Sequence, residues 1–341
     1  MPISYSQPIH AAWSRMTRLL LRPFDVGLWL VLGFTAWLAS FVEEGGQHSW
    51  FQFREELEGL DDAGIRHWPR SVIDAAGDLL AEPWTALLLV VLFLAAIALA
   101  LALAWVGSRG QFLFLDNLVH RRAEVARPWR EFQAQGDSLF LWQVGYGLVV
   151  LAVVAILIAC VIGGAAALHG FGAPSALSLL YFVFLGTLGF VVVVALVAVD
   201  FFLLHLVVPI MYRRRIGCLA AWSAFGEVFR AHPGHCVLYG LLNLGITVLA
   251  AAVILTAGLM TCCVGLLLLA VPYVGTVLTL PLPVFVRYLD LEWLGQYGPE
   301  FAVLGAAQAS GSGEFERDGA VVGPEDVGED ARPDEPRPED A

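Results

Sequence analysis

Apolar residues along this chain come in long unbroken runs. Six stand out, at about 24–42, 84–107, 143–168, 177–199, 236–258 and 264–286, the fourth with an apolar extension to about 212. They are continuous, not alternating, so they read as helices and not as barrel strands. Each approaches the roughly 20 residues that a helix rising about 1.5 Å per residue needs to cross a hydrocarbon layer about 30 Å thick. Inside such a layer the backbone must satisfy its own hydrogen bonds, which again selects helices. The expected fold class is all-α, a polytopic transmembrane helix bundle of about six spans. The first run does not read as a cleaved signal, because an amphipathic segment precedes it and no A-x-A site follows.

The polar stretches divide the rest. Residues 1–23 pattern as a cytoplasmic interfacial helix, with Ala12, Trp13, Met16, Arg18 and Arg22 ahead of the first run. Residues 24–302 form the membrane domain. Its outer loop, 43–83, interleaves aromatic residues with acids and suits amphipathic helices on the outer leaflet. Residues 303–341 are rich in Gly, Pro, Asp and Glu, cannot bury a core, and are expected to be a disordered acidic cytoplasmic tail.

Arginine sets the orientation. The chain has 19 arginines and no lysine. Thirteen fall before the first run, between runs two and three, between runs four and five, or just after the sixth. Only Arg54, Arg66 and Arg70 lie in the opposite loops. Positive charge stays inside, so both termini are expected in the cytoplasm of a bacterial inner membrane. Composition agrees, with 58% apolar residues, 15% charged and a mean hydropathy of +0.73. The net charge of −12 comes from the outer loop and the tail, leaving a basic cytoplasmic face suited to anionic headgroups. Bilayer lipid and membrane-protein partners are therefore expected; nucleic acid is not.

An internal repeat runs through the two main cytoplasmic segments at an offset of 93. Arg121-Arg122 aligns with Arg214-Arg215, Trp129 with Trp222, Phe132 with Phe225, and Tyr146-Gly147 with Tyr239-Gly240. Trp and Phe three apart share one face of a short helix, so each unit reads as an interfacial helix followed by a hairpin of spans. Arg121, Arg122, Arg214, Arg215, Trp129 and Trp222 are the candidate lipid-headgroup contacts. Asp200 aligns near Ser108-Arg109, which puts Arg109 and Asp200 at one depth and predicts an ion pair between spans two and four.

Other polar features carry less. Asn243 and Thr247 share a helix face, and Pro272 and Thr276 lie in a proline-rich sixth run; these four are the candidate transport-site residues. His232-Pro233-Gly234-His235 reads as a turn, not a metal site. His120 and Glu124 read as an i, i+4 ion pair. The five cysteines read as small buried hydrophobes. No Walker loop, G-x-S-x-G elbow, H-E-x-x-H or dinucleotide glycine pattern occurs. No catalytic, metal or cofactor residue is expected.

Five phrases carry a resemblance: Arg22-Pro23-Phe24-Asp25, Ser108-Arg109-Gly110-Gln111-Phe112 through Asn117, Val208-Pro209-Ile210-Met211-Tyr212, Pro272-Tyr273-Val274-Gly275-Thr276 and Gln296-Tyr297-Gly298-Pro299-Glu300. Over about residues 10–302 the chain resembles a family of uncharacterised bacterial multi-span proteins. More distantly it looks like the membrane domain fused to some glycerophosphodiester phosphodiesterases, without their catalytic barrel. The resemblance transfers no role to any residue. The leading expectation is a non-enzymatic scaffold or accessory engaging lipid or partner proteins. The alternative is a transporter or lipid-handling protein with a site near spans five and six.

Overall fold

The computed structural model describes residues 4–22, 24–43, 82–170, 175–261, 265, 268–269, 271 and 273–304. The expected outer loop between 44 and 81, and the expected tail beyond 304, lie outside the described residues. By contacts the chain divides into Met1–Leu304 and Gly305–Ala341.

All regular structure among the described residues is helical. The order is α1 (Ser6–Leu20), α2 (Val26–Glu43), α3 (Pro83–His120), α4 (Ala126–Glu131), α5 (Gln133–Gly170), α6 (Ser175–Phe202), a π-helical turn (Leu203–Val207), α7 (Val208–Arg214), α8 (Cys218–Ala231), α9 (Pro233–Met260), α10 (Val274–Thr279) and α11 (Pro281–Leu294). Among the described residues, four helical stretches are long and apolar enough to cross a membrane: Pro83–His120, Gln133–Leu168, Ala176–Arg214 and Pro233–Met260. The last part of the third is the predicted extension of run four, continuous through the π turn.

Each long helix has two environments. Residues 87–103 of α3 are exposed on every face, a stretch of about 25 Å at 1.5 Å per residue. The next turns reverse this, for Gly107 through Leu118 are all buried. A helix apolar all round needs lipid or protein about it. Here the first half is exposed among the described residues and the second half is enclosed. The same change occurs between α6, largely exposed, and the π turn with α7, whose Val208–Tyr212 are all buried.

The enclosed halves meet in a base. There α2 packs along α3, α1 along α11, and the π turn touches α6, α7, α8 and α11. In α1, Pro8, Ala12, Met16, Leu19 and Leu20 are buried, a spacing of three and four residues that places one face on α11. Arg15 reaches Glu292 across that contact, and Trp13 stays 59% exposed. The expected interfacial helix therefore docks on protein with one face and keeps its tryptophan outward.

The first and sixth apolar runs take unexpected places. In α2 the buried residues are Leu32, Gly33, Thr35, Ala36, Leu38 and Ala39. Leu38 and Ala39 lie against Gly110, inside the buried half of α3. So α2 belongs to the base and does not stand beside the exposed half of α3. The sixth run is broken at Leu280–Pro281, where Pro281 starts a new helix. Its α10 packs against α2, with Val277 on Gly33. The ordered body also runs past the expected boundary at 302, since Val303 and Leu304 are 2% and 8% exposed.

The repeat appears in the backbone with a one-residue shift. Both α3 and α7 end at an arginine in the left-handed conformation, Arg121 at φ 51° and Arg215 at φ 55°. These caps are 94 apart, whereas Trp129 and Trp222 are 93 apart. The first connection is one residue longer. A left-handed arginine costs roughly 1–2 kcal/mol, so both turns are held by tertiary contacts.

Candidate functional site

The base encloses a polar cluster built from four elements. Asp290 of α11 has no exposed surface, and its carboxylate accepts the Tyr239 hydroxyl from α9. His205 Nδ1, from the π turn, lies 3.0 Å from both Asp290 oxygens. Arg287, one turn before Asp290, places Nη1 3.8 Å from Oδ2 and donates to the Leu204 carbonyl at 2.7 Å. Its other nitrogen reaches Gln111 of α3, and Gln111 Nε2 donates to the Ala39 carbonyl of α2 at 3.1 Å. Asn243 Nδ2 stands 3.3 Å from His205 Nδ1. Trp293 stacks on Tyr239, with ring centroids 4.3 Å apart.

Local sequence explains this convergence. A π turn rotates the residues after it relative to a regular α-helix, and His205 sits within it. Arg287 and Asp290 are three apart, on one face of α11. Tyr239 and Asn243 are four apart on α9. The chemistry is constrained by donors. His205 Nδ1 either donates to Asp290 or accepts from Asn243, and one nitrogen cannot do both. The side chain of His205 keeps 22% of its surface, so the cluster has one partly open edge.

A second acid lies four residues before the end of α3, as Asp290 does before the end of α11. Asp116 accepts the Tyr212 hydroxyl at 2.8 Å and pairs with His120 at 3.0 Å and Arg122 at 3.3 Å. His120 therefore partners Asp116, not Glu124. The helix stops at His120, so Glu124 is not one turn further along it; Asn117 instead clasps the Glu124 backbone at N and O.

Arg109 corrects a third expectation. Its ion pair is with Asp137 of α5, at 2.8 and 3.0 Å, not with Asp200. Trp105 Nε1 donates to the same carboxylate at 3.0 Å. The guanidinium lies 4.2 Å from the Trp105 ring and 5.4 Å from Trp129. Asp200 lies within electrostatic reach of the Tyr146 hydroxyl. The Arg109 side chain is directed to α5.

Of the expected headgroup arginines, three are engaged by protein. Arg122 holds Asp116. Arg214 pairs with Glu300 at 3.0 Å and covers Phe301. Arg215 pairs with Glu131 and lies 4.0 Å over Phe132, which is stacked between Phe112 and Tyr212. That pairing holds the Glu131 carboxyl below the usual range. Arg121 alone of the four is exposed without an acidic partner among the described residues, and Trp129 and Trp222 are half-buried against Trp105 and Trp142.

The expected transport residues separate. Asn243 joins the cluster at 2% exposure while Thr247 faces outward. Thr276 is half-buried, and Pro272 lies outside the described residues. Residues 232–235 are not a turn, since Pro233 opens α9. Burial pushes the Cys218 thiol up to about 12, in keeping with a buried hydrophobe. Sequence reasoning missed His205, Tyr239, Arg287 and Asp290 as a set. Ionisable residues beside apolar runs were the available signal.

A family profile matches residues 7–282, most of the chain; its description is a family of unknown function, DUF7544. The chain belongs to that family. The DUF7544 match takes in His205, Tyr239, Asn243, Asp116, Arg109 and Asp137, and stops before Arg287 and Asp290. No curated protein and no solved structure matches this DUF7544 chain. The likeness to phosphodiesterase membrane domains thus has no supporting match.

Proposed function

We propose that this DUF7544 chain is a non-enzymatic scaffold or accessory of a bacterial inner membrane, binding lipid and membrane-protein partners. The observation that carries the reading is the bareness of the long helices. In the most apolar 18-residue window of each, 0%, 0%, 6% and 11% of residues are buried. A transporter must wall a path with helices packed side by side. Helices so little enclosed wall no path within one copy. They do offer long apolar sides to neighbours in the bilayer. The polar groups meanwhile lie in the base, closed upon one another.

The base belongs on the cytoplasmic side. It holds Arg109, Arg121, Arg122, Arg213, Arg214, Arg215 and Arg287, and positive charge is retained inside. Both α1 and the last described residues, 301–304, are part of it, which puts the two ends of the body on one side. A cysteine at Glu82, at the opposite end of α3, is expected to react with an impermeant maleimide added to intact cells. One at Arg121 is expected to react only after lysis. The reverse pattern inverts the orientation.

Partner binding is tested with a photo-crosslinking amino acid at Phe93 and Phe190, which are 66% and 69% exposed. Discrete protein adducts in the native membrane are expected. If irradiation yields lipid adducts alone at both positions, the scaffold reading fails.

A further inference from the structure

We propose that Arg127 and Arg130 of α4 form a binding site for the phosphate of an anionic phospholipid. The proposal rests on the membrane reading above and moves the headgroup contact away from the arginine pairs that the sequence pointed to.

Depth comes first. The fully exposed apolar stretch of α3 ends at residue 103. Trp105 follows within two residues, and its ring meets Trp129 of α4 at 5.9 Å, edge to face. So α4 does not hang below the base. After α3 has run down to His120, the chain climbs back, and α4 lies level with the start of the buried zone. That is the headgroup level if residues 87–103 stand in hydrocarbon, and it is where tryptophan concentrates.

Charge comes second. Arg127 and Arg130 flank Trp129 and are exposed; together with Ala126 and Glu131 they line an open recess. Arg127 has only a loose contact to Glu131, at 3.8 Å with 64% of its side chain exposed. Arg130 has no acidic partner among the described residues. Glu131 is the one acid in the lining, and Arg215 holds it by hydrogen bond and charge, with Arg127 and Arg122 adding to the local positive field. The acid is thus matched, and two guanidinium forks remain for a ligand. Arginine forks suit phosphate oxygens in bidentate fashion. A lipid supplies that phosphate at this depth and lays its acyl chains along the bare side of α3.

The test uses the full chain in nanodiscs of phosphatidylcholine with or without phosphatidylglycerol. Lipid carried through purification is counted by native mass spectrometry. The wild-type protein is expected to retain phosphatidylglycerol in preference to phosphatidylcholine. The R127Q/R130Q variant is expected to lose about thirtyfold of that preference, from the attraction per arginine near a membrane surface, with unchanged helical signal and melting temperature. R214Q, which touches the Glu300 contact instead, is expected to retain the preference. If the double variant keeps it, the site on α4 is wrong while the lipid reading stands. If the wild-type protein shows no preference for the anionic lipid, the lipid reading itself fails. If inorganic phosphate displaces the lipid equally well at matched concentration, the recess is a site for soluble anions and the proposal falls.

Discussion

Replacing Asp290 by leucine is expected to lower the stability of the folded chain by about 3–5 kcal/mol, the range for stranding one partner of a buried pair. Arg287 is 3% exposed and would lose the Asp290 carboxylate beside it. The Tyr239 hydroxyl and His205 Nδ1 would lose their acceptor in the same step. Since whole domains are stable by about 5–15 kcal/mol, such a loss is large enough to be read as a clear fall in the temperature at which helical signal disappears in mild detergent. Asp290→Asn keeps an acceptor but not the charge, and should fall between. The paired change R287M/D290L removes both charges and is expected to recover part of the loss, because the desolvation cost goes with them. An Asp290→Leu variant that melts with the parent would show that the cluster does not hold the base together.

Gly110→Val is expected to separate α2 from α3. A Cβ at Gly110 would stand 2.8 Å from the Leu38 carbonyl carbon and 2.9 Å from the Ala39 nitrogen. Both are backbone atoms, so no side-chain rotation relieves the contact, and the two helices must move apart. Overpacking of this kind costs about 1–3 kcal/mol and more when backbone must shift. The movement also breaks the Gln111 hydrogen bond to the Ala39 carbonyl, and Gln111 is what Arg287 leans on. Gly245→Ala is the control. Nothing lies within 4 Å of a Cβ there, and helix propensity favours alanine over glycine by about 0.5–1 kcal/mol. Equal melting temperatures for Gly110→Val and the parent would mean that the close crossing of α2 and α3 does not exist in the folded protein.

These two sites differ in how visible they are from sequence. Gly110 lies in the Ser108–Asn117 phrase that carried the resemblance, yet nothing in that phrase shows that a second helix crosses at the glycine. Asp290 follows Arg287 by one helical turn, a spacing that any reader of the sequence can see. That His205 and Tyr239, 85 and 51 residues away, complete the cluster depends on how α9, α11 and the π turn meet. Arg109 makes the same point. The repeat set it level with Asp200 and so suggested that residue as its partner. The actual partner, Asp137, was not legible, because it depends on the rotation of α3 about its own axis. Along a helix, depth advances about 1.5 Å per residue, while the facing direction turns by about 100°, so a small error in register redirects the side chain completely.

The sequence by itself determined that the chain is helical and that it carries runs long and apolar enough for a bilayer, about six by run length where four helices among the described residues qualify. Those follow from run length and residue type, which act locally through the solvent that each residue prefers. Only the tertiary structure decided that α2 and α10 join the base, that Arg122, Arg214 and Arg215 are taken up by Asp116, Glu300 and Glu131, and that Arg127 and Arg130 are left facing outward. An ion pair is a relation between two positions in space. Composition and spacing supply the charges, but packing alone assigns each one its neighbour.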